Sequence, residues 1–147
     1  SIKSISSINQ LKKITQLDLI INSTSVGFDS WFNKNGYYNL EDFSPISEVK
    51  MNKIRFKNLD EFKRKNNKNV GENIINTVDF LSKFNKLAIF DIIYQPTNTV
   101  LMKMGSLFRH KTYNGLEMNF IQAVKAFSVV NNNKNIKRIM KGMRDGK

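Results

Sequence analysis

The 147 residues contain no cysteine and only one histidine. The first absence removes disulfide scaffolds, zinc–thiolate sites and thiol nucleophiles together, and it suits a reducing compartment such as the cytoplasm. With a single histidine as well, a metal cluster would have to be all carboxylate. The sequence shows no tight Asp/Glu grouping, so no metal site is expected. No apolar run approaches the roughly 18 residues of a membrane span, and "SIKSISSINQLKK" lacks the apolar segment of a signal peptide. A membrane partner is therefore not expected. Neither a P-loop nor G-x-G-x-x-G occurs, and there is no G-x-S-x-G elbow. The chain begins at Ser1 without an initiator methionine and is read as part of a longer protein.

Positive charge, by contrast, is abundant. The net charge is +12, and such an excess can release counterions from nucleic-acid phosphates. Residues 46–86 hold ten Lys/Arg against five acids, and residues 131–147 hold six against one. Neither stretch interleaves aromatics with cations as a base-stacking surface does. Lys, Asn and Ile are enriched throughout, which raises charge without selecting a partner. A solvated basic surface is the expectation, and no nucleic-acid partner.

Two apolar runs read as buried strands, Leu17–Asn22 and Leu87–Tyr94. "SSINQLKKIT" before the first reads as a short helix capped by Ser6 or Ser7. A helix is expected from about Thr99 to Arg109, with Leu101, Met104, Leu107 and Phe108 on one face. "HKTY" allows a brief extended segment. Gly115 to Val130 should form a helix with Leu116, Phe120, Ala123, Val124 and Phe127 as its packed stripe. Asn114 is its expected N-cap, with Glu117 completing a capping-box arrangement. Gly115, Met118 and Gln122 share a different face of that helix. Gln122 is then either a half-buried amide bonded to a loop carbonyl or a group free to touch a ligand.

Strands separated by helices predict an α/β fold, a partial Rossmann-like parallel sheet with flanking helices interrupted by a long polar insertion. Residues 1–131 form the α/β part, 28–86 the insertion, and 132–147 a basic tail with a turn or two of helix. Most of the insertion reads as a surface excursion, with helix at Val78–Phe84. In such sheets ligands sit beyond the carboxyl ends of the strands. Both runs end in polar residues, Asn22-Ser23-Thr24-Ser25 and Tyr94-Gln95, and those ends should share one edge. Pro96 would turn the chain out of the sheet. His110 is expected to meet a helix dipole or solvent. Asp91, inside a buried strand, must either find partners or point off the apolar face.

Three blocks in order resemble the C-terminal half of the shikimate dehydrogenase family: "DLIINSTSVGF" (18–28), "FDIIYQPTNTVLMKMG" (90–105) and "NGLEMNFIQAVKAF" (114–127). The second is similar to that family's D-x-x-Y-x-P-x-x-T segment, and the third to its N-G-L-x-M-x-x-x-Q-A-x-x-A-F helix. The resemblance implies NADPH-dependent reduction of 3-dehydroshikimate to shikimate, in the pathway to the aromatic amino acids. It assigns Tyr94 and Gln122 to substrate contact, so phenol and carboxamide should face a common hollow. Thr24, Ile92, Gly115 and Met118 correspond to positions lining the nicotinamide end of NADP. No catalytic residue is carried over. The family's catalytic lysine and aspartate belong to an N-terminal substrate domain absent from this sequence, and the glycine-rich phosphate loop is missing as well. The isolated chain is accordingly expected to be inactive. The alternatives from composition and fold are a non-catalytic relic or interaction domain and, behind it, a basic nucleic-acid-binding module.

Overall fold

A computed structural model describes residues 8–11, 13–28, 31–33, 36–38, 40–49 and 57–146. In chain order the elements are α1 (Ile8–Leu11), β1 (Leu19–Asn22), β2 (Trp31–Asn33), β3 (Gly36–Tyr38), α2 (Leu59–Leu81), β4 (Ala88–Asp91), α3 (Val100–Leu107), β5 (Lys111–Asn114), α4 (Leu116–Val130) and α5 (Ile136–Asp145). The chain divides into two units, Ser1–Asn114 and Gly115–Lys147. It is an α/β protein with a small parallel sheet. No helix among the described residues is long and apolar enough to cross a membrane.

The first unit is organised by a three-stranded sheet in the order β1-β4-β5, parallel throughout. The expected extended segment at "HKTY" is the third strand. On one face Ile20, Ile89 and Thr112 lie in register. Ile89 belongs to a core with Phe80, Leu81, Phe84, Leu87 and Leu101, against which Ile20, Leu11, Ile14 and Met104 pack. On the other face Leu19 and Ile21, the latter 59% exposed, align with Ala88 and Phe90, and Tyr113 of β5 is half exposed. β1 is therefore not the buried strand that its apolar run suggests. Its alternate side chains, Leu19 and Ile21, stay exposed.

The largest departure from expectation lies in the insertion. Residues 59–81 form a 23-residue helix, not a surface excursion with a short helix at its end. Its buried stripe runs Phe62, Asn66, Asn73, Thr77, Phe80 and Leu81, with Val70 partly buried beside Phe43 and Phe62. The spacing is helical, but three of the six buried positions are polar. Their bonds are made internally: Asn66 Nδ2 donates to Phe62 O at 3.1 Å and Thr77 Oγ1 to Asn73 O at 2.8 Å. Asn73 also holds a loop, accepting from Ser44 N at 2.8 Å and donating to Ser44 O at 3.1 Å and Val49 O at 2.8 Å. Asn58 caps the helix by accepting from Glu61 N at 2.9 Å, while Glu61 accepts from Lys57 N at 2.7 Å. The hydrogen bond from Lys65 to Glu61, with Lys57 N–H beside it, holds the Glu61 carboxyl below its ordinary value. The two short strands β2 and β3 pair antiparallel.

α3 is shorter than expected, and its buried residues are Val100, Leu101, Met102 and Gly105. Leu107, placed on the packed face by spacing, is 70% exposed. Gly105 is where the helix meets the sheet: a Cβ there would run into Ile89 Cδ1 and lie 3.3 Å from Thr112 Cγ2. His110 is neither solvent-facing nor at work on its own helix. It is buried, and its Nε2 is 3.1 Å from Leu81 O, the last residue of α2. Because a carbonyl only accepts, Nε2 carries the proton and donates to a C-terminal carbonyl of that helix. The Ser6 and Ser7 cap expected for α1 lies outside the described residues.

In the second unit, α4 and α5 pack on one another. α5 replaces the expected one or two frayed turns, for two local reasons. Asn135 Oδ1 accepts from Arg138 N at 3.1 Å at its start, and Gly146 closes it at φ 66, where a side chain would be strained. Val124 and Ile139 are the buried apolar residues of this unit. Arg144 pairs with Glu117 at 2.5 Å and stacks over Phe120 at 4.9 Å. The stripe expected on α4 is mostly not packed: Leu116 and Phe127 are about half exposed, Ala123 is exposed, and only Val124 is buried. The expected cap fails too. Asn114 is the last residue of β5, Gly115 takes the N-cap position without a side-chain bond, and Glu117 is turned to Arg144.

Candidate functional site at the carboxyl edge of the sheet

The three parallel strands end in register on Asn22, Asp91 and Asn114. A row of three short polar side chains thus crosses the carboxyl edge of the sheet, where open α/β sheets take their ligands. The expectation that the loops after the two apolar runs share one edge is met in this geometry. Individual bounds differ: the second strand stops at Asp91, and Tyr94 stands three residues beyond it in the loop.

Asp91 explains why the strand stops there. It is fully buried, and its two oxygens gather three donors. Oδ1 accepts from Asn22 Nδ2 at 3.0 Å and from Ile93 N at 3.1 Å, which curls the backbone out of the ladder. Oδ2 accepts from Thr99 Oγ1 at 2.8 Å. Thr99 is itself buried and caps α3, accepting from Met102 N at 3.4 Å. One carboxylate therefore joins the end of β1, the loop after β4 and the start of α3. Burial pushes its pKa above the ordinary carboxylate value, while the bonds from Thr99, Ile93 and Asn22 pull the other way. No cation pairs with it among the described residues.

Around this anchor the rim is closed by further polar contacts. Asn22 Nδ2 also donates to Val26 O at 3.1 Å, and Asn22 Oδ1 accepts from Thr24 N at 3.0 Å and Thr24 Oγ1 at 2.8 Å. Val26 N donates to Thr24 Oγ1 at 3.2 Å. Gly27, at φ +103, sits against Thr99 and Ile93; a Cβ there would lie 3.4 Å from Thr99 Cβ. Asn114 Nδ2 donates to Thr97 O at 3.1 Å, fastening the loop after β4 from the other side. The Gln95–Pro96 bond in that loop is cis.

Of the residues singled out from sequence, Thr24, Ile92 and Tyr94 belong to the first unit and leave this one edge. Thr24 is exposed, and Ile92 and Tyr94 are half-buried. Gly115, Met118 and Gln122 belong to the second unit. Gly115 is buried, Met118 half-buried, and Gln122 exposed, so Gln122 is not a half-buried amide. Gly115 has φ −77, which any residue adopts, so backbone strain does not call for a glycine there. Sequence reasoning noted Asp91 as a carboxylate in need of partners and Asn22 as a polar strand end, but did not join them with Thr99 in one network. The available signal was a carboxylate inside one apolar run and a carboxamide at the end of the other, since a buried charge must be hydrogen-bonded. Among the described residues there is no group of three or more His, Asp or Glu able to hold a metal ion.

Comparison of the chain with protein-family models finds no match, and comparisons with curated proteins and with solved structures find none either.

Proposed function

We propose that this chain is the C-terminal part of a cytoplasmic, NADP-dependent oxidoreductase of the shikimate dehydrogenase type, acting on 3-dehydroshikimate and shikimate. The observation that carries the proposal is the meeting of the loops bearing Thr24 and Tyr94 at one edge of a parallel sheet, joined by the 3.0 Å bond from Asn22 to Asp91. The strand order β1-β4-β5 suits the second half of a doubly wound sheet, whose first half would pair along the free side of β1. The exposed Leu19 and Ile21 suit a sheet face that a longer chain would cover, because parallel sheets are normally buried on both sides.

In this proposal NADPH supplies the hydride. Thr24 and Ile92 border the nicotinamide end, and the Tyr94 phenol hydrogen-bonds the substrate. The same family resemblance gives Gly115 and Met118 to the cofactor and Gln122 to the substrate. The nicotinamide end is the part of the cofactor that these residues fit: Thr24 offers an exposed hydroxyl and Ile92 a half-buried apolar side chain, each just past the end of one of two paired parallel strands. The chain carries no phosphate loop, and the proton donor would come from the N-terminal domain of the parent. Steady-state assays test the division of labour. These 147 residues alone should not oxidise NADPH with 3-dehydroshikimate, whereas the product of the coding sequence extended upstream of Ser1 should. Turnover by the isolated chain, or an extended protein inert toward this substrate pair, would refute the assignment.

A further inference from the structure

The polarity of the Thr24 hydroxyl is set by neighbours that cannot reverse theirs. Asn22 is buried, and all four of its side-chain hydrogen-bonding positions are used. Its Nδ2 faces two pure acceptors, the Asp91 carboxylate at 3.0 Å and Val26 O at 3.1 Å. Its Oδ1 faces a pure donor, Thr24 N at 3.0 Å. Flipping the amide would set oxygen against two oxygens and N–H against N–H, so the orientation is determined by chemistry. The remaining contact at Oδ1, 2.8 Å from Thr24 Oγ1, must then take the hydroxyl proton. Thr24 Oγ1 also accepts from Val26 N at 3.2 Å. Its proton is spent and one lone pair is filled. What the exposed hydroxyl offers to a ligand is a single remaining acceptor position.

We propose that Thr24 is a specificity residue whose hydroxyl, locked as an acceptor by Asn22, selects ligand groups that donate: a carboxamide N–H₂, and not a carboxylate. This rests on the nicotinamide end of the cofactor lying at Thr24. There the carboxamide can give a proton to Oγ1, whereas a carboxylate would bring a second acceptor to it. The overall charge of +12 works against this preference, because it favours the more anionic ligand. A preference for the amide therefore cannot come from bulk electrostatics.

The test uses the intact chain and two ligands that differ only in this group, nicotinamide mononucleotide and nicotinate mononucleotide, titrated by ¹H–¹⁵N NMR. The amide should bind about tenfold more tightly, with the largest shifts at Thr24 and its neighbours. Thr24→Val should abolish or invert the preference, and Thr24→Ser should keep it. Both side chains are exposed replacements, and an otherwise unchanged spectrum confirms the fold. Equal affinity, tighter binding of the acid, or no movement of Thr24 with either ligand overturns the proposal. The lock has its own readout without any ligand: Thr24→Val should shift the Asn22 side-chain amide resonances. If they do shift while neither nucleotide binds, the locked hydroxyl stands, and the assignment of a nicotinamide cofactor to this edge is what fails. If they do not shift, the lock itself is wrong.

Discussion

Thr99 donates its hydroxyl proton to Asp91 across 2.8 Å while its oxygen caps the helix that follows. A strand end and a helix start are thereby fixed to one another through a single buried carboxylate, and the Tyr94 loop spans the seven residues between them.

Asp91→Ala and Asp91→Asn should separate the two components of this arrangement. Alanine strands the donors of Asn22, Ile93 and Thr99 in a buried site, at a cost of about 2–4 kcal/mol. Asparagine keeps an acceptor for Asn22 and Ile93 and removes the burial of a charge. It should stay within about 1 kcal/mol of the parent at neutral pH. Urea denaturation of the three proteins gives the comparison.

The same pair predicts a pH dependence. Burial raises the Asp91 pKa in the folded state. Between the ordinary carboxylate value and the raised one, the folded protein holds a proton that the unfolded chain has released. This contribution to stability is therefore complete below the ordinary value and lost as pH rises through the raised one. Asp91→Asn should flatten that decline, which denaturation midpoints measured from acid to neutral pH will show.

Gly105→Ala should destabilise the fold although alanine is the better helix former. Helix propensity gains at most about 1 kcal/mol. The added methyl meets the buried Ile89 side chain, with Thr112 behind it, and overpacking of this kind costs about 1–3 kcal/mol. A net loss in thermal stability is expected, and Ile89→Val in the same chain should recover part of it by opening space.

Asn73→Ala should release the loop at Ser44 through Val49 without melting α2. It removes the acceptor for Ser44 N and the donor for Ser44 O and Val49 O, a loss of about 2 kcal/mol. Hydrogen exchange should show the Ser44 amide losing protection while amides in the middle of α2 keep theirs.

In the extended protein, Tyr94→Phe and Gln122→Ala should each weaken substrate binding by about five- to tenfold while leaving the unfolding midpoint in place. Unchanged kinetics in both variants would remove those two residues from the substrate site.

Legibility in the sequence followed how openly each element displays its apolar pattern. The runs Leu17–Asn22 and Leu87–Tyr94 showed as strands because β-branched residues cluster there, and their common edge followed from parallel pairing. α2 did not show, because Asn66, Asn73 and Thr77 occupy its buried stripe and read as solvent-facing. The opposite error occurred on α4, where Leu116, Ala123 and Phe127 fit a helical stripe yet remain exposed. Periodicity reports what could be buried, and only a packing partner buries it.

The residues by themselves determined the α/β class, the absence of thiol chemistry and the polar ends of the two apolar runs, because composition and alternation are local properties. Tertiary structure decided that Asn22, Asp91 and Thr99, spread over 78 positions, form one buried network. It decided as well that His110 serves the end of α2 and that Thr24 is left with only an acceptor to offer. Hydrogen-bond polarity depends on which groups meet, and chain order alone does not bring them together.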